Sequence, residues 1–279
     1  MSYKTILVSL NDLGCNQSLL ESAAWLARRH DAHLQGIYVI PAVEVYPGLG
    51  LEPLIFEGNR ELFTKAEKSV RAAFDSIIKQ NDIRGDMLVI DSTHPDITGH
   101  LIDHARRADI AVINQPLEET TFSVVGRSVV ERLLLSSGRP TLVLPRKGRR
   151  SLAADLVIVG WSATREAARA AFDSLPLLKK AKKVEIVWVD SEMEYPHPGS
   201  QPGGELAIAL SRHGINAEIC PISTGGGEVG ETLLSTVADR GAELLVMGAY
   251  GHSRLSEMIL GGATKSVLKG MKCPVFFSH

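Results

Sequence analysis

The sequence predicts two tandem doubly wound α/β domains, each a five-stranded parallel sheet with helices on both faces. Three observations carry this expectation. Short apolar, β-branched runs alternate with amphipathic helical stretches along the chain, the pattern of a parallel sheet covered on both sides. The pattern also runs twice: Thr5-Ile6-Leu7-Val8-Ser9-Leu10 is matched by Asp155-Leu156-Val157-Ile158-Val159-Gly160-Trp161, and Ala108–Asn114 by Ala242–Gly248. Each half then closes on a proline-led strand, Pro140–Leu144 and Pro274–Phe277. Finally, 279 residues suffice for two domains of about 140 each. The expected domains are 1–146 and 154–279, joined by the basic stretch Arg146-Lys147-Gly148-Arg149-Arg150, which reads as a solvated linker.

In the first half the apolar strand 4–10 feeds an amphipathic helix at 15–30, then strand 33–40. Helix 57–80 follows an insertion, Pro41–Glu57, that has no full counterpart later and accounts for the repeat offset falling along the chain. Strand 86–92, helix 96–107, strand 109–114, helix 126–137 and strand 141–145 complete the half. The second half reads strand 155–161, helix 165–180, strand 183–190, helix 203–213, strand 216–222, helix 229–240, strand 243–248, helix 260–270 and strand 273–277. Right-handed crossovers turn each series into a doubly wound sheet, whose ligands sit beyond the strand C-termini at the switch point.

Composition narrows the function classes. A formal net charge of −2 gives no bulk electrostatic case for nucleic acid or an anionic membrane surface. No apolar run approaches bilayer length, and the N-terminal residues do not form a secretory signal, so a cytoplasmic protein is expected. Cys15, Cys220 and Cys273 are widely spaced and form no C-x-x-C pair, which argues against a disulfide framework or a zinc ribbon.

The strongest chemical signal is Leu244-Leu245-Val246-Met247-Gly248-Ala249-Tyr250-Gly251-His252-Ser253, followed by Leu260-Gly261-Gly262-Ala263-Thr264. An apolar strand breaks into a Gly-x-x-Gly turn, and a second glycine pair opens the next helix. Glycines there let backbone N–H groups approach an anion, and the helix N-terminus adds its partial positive charge. Two ordinary tight turns would leave the same glycine pattern. A branched residue at 251 is expected to fill the volume needed by the ligand and to penalise any φ > 0 conformation.

With Gly248, Gly251 and Gly261 at G-x2-G-x9-G spacing and Cys273-Pro274-Val275 at the final strand, the chain resembles a universal stress protein of the tandem type. The resemblance implies an adenine nucleotide alpha hydrolase-like fold and a stress-responsive protein binding ATP (or ADP or AMP), with Mg²⁺ as companion, rather than a dedicated catalyst. It implies phosphates on the backbone of Gly248, Gly251, His252, Ser253, Gly261, Gly262 and Ala263, with Arg254 within reach, ribose at Ser162 and adenine near Val189. Gly262 stands where the family has Ser or Thr, and Thr264 is a replacement only if the helix start is reoriented. Ser162, and Asn11 in the first half, stand where the family usually has an Asp. The first half has Asn114-Gln115-Pro116-Leu117-Glu118-Glu119 in place of the glycines, which removes donors and repels phosphate. Nucleotide is therefore expected only in the second domain. The family also associates through its last strand, so the two proline-led strands are expected to pair within the chain, with a homodimer of whole chains on remaining surface.

Other signals are weaker. Gly225-Gly226-Gly227-Glu228-Val229-Gly230 satisfies G-x-G-x-x-G, but follows the third strand of its half, so a turn feeding a helix is expected rather than a dinucleotide site. Gly160-Trp161-Ser162-Ala163-Thr164 resembles a nucleophile elbow without its last glycine, and a triad would need Asp239 and His252. Trp161 reads as a pocket wall or a core aromatic. His100 and His104 share a helix face after His94, without a carboxylate or cysteine to complete a zinc set. A nucleotide-free interaction scaffold and a small serine hydrolase using Ser162 remain as alternatives.

Overall fold

A computed structural model describes residues 2–43, 54–117, 126–189, 203–251 and 262–279, and the side chains of all of these except 54–59. Its contacts divide into two compact units, one formed by residues 3–139 and the other by residues 1–2 and 140–279.

In the N-terminal unit, β1 (Thr5–Ser9), α1 (Asn16–His30), β2 (His33–Ile40), α2 (Leu54–Asn81), β3 (Gly85–Asp91), α3 (Thr98–Ala105), β4 (Ile110–Asn114) and α4 (Arg127–Ser136) follow one another. The strands lie in the order β3-β2-β1-β4, all parallel. β1 and β4 are almost wholly buried, which explains why they read as unbroken apolar runs. The helix α2 begins at Leu54, inside the stretch expected to be insertion; residues 44–53 of that stretch lie outside the described residues.

The C-terminal unit contains β5 (Thr141–Leu144), β6 (Leu156–Gly160), α5 (Arg165–Asp173), α6 (Leu175–Leu178), β7 (Lys183–Val189), α7 (Gly204–Ser211), β8 (Ala217–Ile222), α8 (Val229–Asp239), β9 (Leu244–Gly248), α9 (Gly262–Gly270) and β10 (Val275–Ser278). Its order is β5-β10-β9-β6-β7-β8. Five of these strands are parallel, and the order reverses between β9 and β6, which places the crevice there.

Two features differ from the sequence expectation. The helix expected over 165–180 is two pieces, α5 and α6, because Pro176 has no N–H to continue the ladder and restarts it near its own N-terminus. The strand β5, expected to complete the first domain, pairs antiparallel with β10 in the C-terminal unit, Val275 opposite Val143 and Phe277 opposite Thr141. The two proline-led strands thus pair as expected. With β9 on its other side, β10 has both edges covered, so a whole-chain dimer would have to use another surface.

On the sheet of this unit Glu185 is buried beneath Lys183 (2.9 Å) and Arg240 (2.6 Å). Burial opposes its charge, but hydrogen bonds and the positive charge of both partners hold its carboxyl below the ordinary range. A carboxyl depressed in the folded state stabilises the fold above the ordinary carboxylate pKa, and that stability disappears as pH falls through the depressed value. Urea titrations between neutral and acid pH should therefore show a flatter acid limb for Glu185→Gln than for the parent.

Candidate functional site

The crevice of the C-terminal unit forms where the loop after β6 meets the turn after β9. Trp161 N–H continues the β6–β7 ladder by donating to Val187 O at 2.8 Å. The chain then turns through Ala163, which has φ 52°, and Thr164 caps α5 by accepting from Ala167 N–H at 3.3 Å. Ser162 is exposed, and its hydroxyl lies 3.3 Å from that of Thr164. The elbow-like sequence thus ends in the Thr164 cap of α5, and His252, the base a triad would need, lies outside the described residues. The Trp161 indole N–H is buried without an acceptor among the described residues. Val189 ends β7, half-buried, opposite Ile222.

On the other side of the crevice, each glycine meets a different constraint. A Cβ on Gly248 would lie 2.6 Å from Ala167 N and 2.7 Å from the Glu166 carbonyl carbon, so this glycine lets the start of α5 pack on the end of β9. At Gly251 a Cβ would meet only side chains, Thr164 Oγ1 at 3.2 Å and Glu166 Oε2 at 3.3 Å. The left-handed residue of the turn is Tyr250 (φ 58°), so the φ > 0 penalty expected for a branched residue does not arise at Gly251. Two turn donors are used internally: Ala249 N–H donates to Ser278 O (2.8 Å) and Tyr250 N–H to Thr264 Oγ1 (3.1 Å). Thr264 is buried and ties the turn to α9. Gly262 and Ala263 lie in the first turn of α9, whose N–H groups have no intrahelical acceptor, and nothing crowds Gly262 within 4 Å. His252, Ser253, Arg254 and Gly261 lie outside the described residues.

The structure thus brings Ser162, Thr164, Gly248, Gly251 and Thr264 into one neighbourhood and adds a residue the sequence reading missed. Glu166 is 7% exposed, in the first turn of α5, and faces Gly251. Burial opposes its charge, yet hydrogen bonds from its own backbone N–H and from Arg165, with the charges of Arg165 and His279, hold its carboxyl below the ordinary range. An acid two residues after a capping threonine was the available signal.

The corresponding crevice of the N-terminal unit is closed by its own side chains. Leu10 N–H donates to Ile37 O (2.9 Å), as Trp161 does to Val187, which makes Asn11 the counterpart of Ser162 and Val39 that of Val189. Asn11 is buried and engages Val39 twice, its Nδ2 donating to the carbonyl (2.6 Å) and its Oδ1 accepting from the N–H (3.0 Å). At the end of β4 the buried Asn114 donates to Asp12 at 2.9 Å. Gln115, Pro116 and Leu117 follow it, while Glu118 and Glu119 lie outside the described residues. Asn11→Ala should cost about 2 kcal/mol in urea unfolding, because both backbone groups of Val39 lose their partner in a buried place.

The remaining signals resolve simply. Gly225 and Gly226 take φ 61° and 92° in the turn before α8, and a Cβ on Gly230 would strike Ala263 O at 2.8 Å, so this glycine run serves a turn and a helix contact. His100 meets Ser92 at 3.1 Å, and no metal-holding group of histidine, cysteine or acidic residues occurs among the described residues. No helix among the described residues is long and apolar enough to cross a membrane.

Comparison with known proteins points one way. Residues 178–279 match the model of the universal stress protein family. Over 98% of this chain and 98% of the relative, the sequence is 24% identical to universal stress protein Slr1230 of Synechocystis. A crystal structure of a universal stress protein from Archaeoglobus fulgidus matches 98% of this chain and 95% of its own, with TM-score 0.74 at 17% identity. A functionally unknown protein of Pseudomonas aeruginosa PAO1 matches 99% and 92%, with TM-score 0.59 at 12% identity. These two share the fold.

Proposed function

We propose that the chain is a universal stress protein, as the match of residues 178–279 to that family's model supports, that its C-terminal unit binds an adenine nucleotide, and that its role in the stress response is sensory or regulatory rather than catalytic. The observation that carries this reading is the contrast between the corresponding strand ends of the two units. Asn11 fills the strand-end position over Val39 in the N-terminal unit, whereas Ser162, its counterpart, is exposed and turned to Thr164. Adenine would take the Val189 end of β7 and ribose the Ser162 hydroxyl. Phosphate would take the α9 N-terminus at Gly262 and Ala263 and the turn at Gly251, with His252, Ser253 and Gly261 completing the cradle and Mg²⁺ offsetting its charge. Gly248 and Thr264 shape the site from behind. The sealed N-terminal unit serves as scaffold. Protein purified without added ligand, denatured and chromatographed, should release an adenine nucleotide; repeated release of none, with no uptake on later addition, would exclude the proposal.

A further inference from the structure

Resting on the nucleotide-site reading above, we infer that Glu166 sets which nucleotide the site accepts, by penalising each additional phosphate charge, so that without divalent cation a nucleoside monophosphate binds more tightly than a triphosphate. The placement of the carboxylate carries this. Glu166 Oε2 would lie 3.3 Å from a Cβ on Gly251, so it faces the turn that an incoming phosphate must approach. Its other oxygen, Oε1, accepts from Arg165 at 2.8 Å, and that arginine is 63% exposed in its side chain, where solvent screens its charge. The carboxylate is itself buried and both Arg165 contacts fall on Oε1, so phosphate meets its other oxygen, Oε2, on the side of the Gly251 turn. Among the described residues compensating donors are few. Gly262 supplies no hydroxyl, the Tyr250 N–H is committed to Thr264 Oγ1, and the Ala249 N–H is committed to Ser278 O. A phosphate chain that reaches the Gly251 turn must pass close to the carboxylate. A divalent cation bridging Glu166 and the phosphates would turn the repulsion into attraction.

The test compares AMP and ATP by isothermal titration on the full chain in EDTA, then in Mg²⁺, for the parent and for Glu166→Gln. The parent should bind AMP about tenfold or more tightly than ATP in EDTA. Added Mg²⁺ should narrow that ratio. Glu166→Gln should bring it to within about threefold without Mg²⁺, through tighter ATP. Rising salt should narrow the ratio in the parent, a readout that needs no variant. A ratio unmoved by both the substitution and salt would overturn the role of Glu166 while leaving the site intact. Absence of binding of either nucleotide would overturn both readings.

Discussion

Gly248→Ala is expected to destabilise the C-terminal unit by about 3 kcal/mol, which for a unit of this size lowers its melting midpoint by roughly 6–12 °C. The added methyl would sit 2.6 Å from Ala167 N and 2.7 Å from the Glu166 carbonyl carbon. Both are backbone atoms in the first turn of α5, held there by the Thr164 cap, so no rotamer change relieves the contact. The whole helix must move off β9, which it contacts along with β10. Thermal unfolding followed by circular dichroism reads this directly, and an unchanged midpoint would show that α5 does not pack on Gly248.

Gly251→Val should do the opposite: leave the melting profile nearly unchanged and weaken nucleotide binding by more than about 2 kcal/mol, roughly thirtyfold. Here the new Cβ meets Thr164 Oγ1 and Glu166 Oε2 at 3.2 and 3.3 Å, side-chain rather than backbone atoms, so the fold can yield. What it fills is the approach of a ligand to the turn backbone. Titration of the folded variant with ATP in Mg²⁺ measures the loss; unchanged affinity would mean the cradle lies elsewhere. The two glycines of one motif thus separate into a packing glycine and a ligand glycine.

The sequence made the strands legible because most are buried on both faces, so apolar β-branched runs such as Val157-Ile158-Val159 stand out. The family resemblance named β5's partner, but the residues could not reveal its direction. A four-residue apolar strand carries no record of whether its neighbour runs parallel or antiparallel, and the pairing with β10 is a long-range outcome. The break at Ser174 was legible through Pro176 but hidden by apolar periodicity continuing on both sides. In the crevice, glycine spacing located the turn, yet spacing is silent on what approaches each Cα. Only coordinates show α5 backbone against Gly248, a carboxylate against Gly251 and the left-handed turn residue at Tyr250. Asn11 was singled out by its position after the first strand, where the family usually has an Asp; its bidentate hold on Val39 depends on β2 lying beside it.

The central claim is that one crevice is open and the other closed by its own side chains. Equilibrium dialysis of the full chain against labelled adenine nucleotide, at saturation and in Mg²⁺, tests it most directly. The account predicts one nucleotide per chain, lost in Gly251→Val and retained when Asn114 is replaced by alanine. Two equivalent nucleotides per chain, or one that survives Gly251→Val and disappears on substitution of Asn114, would contradict it.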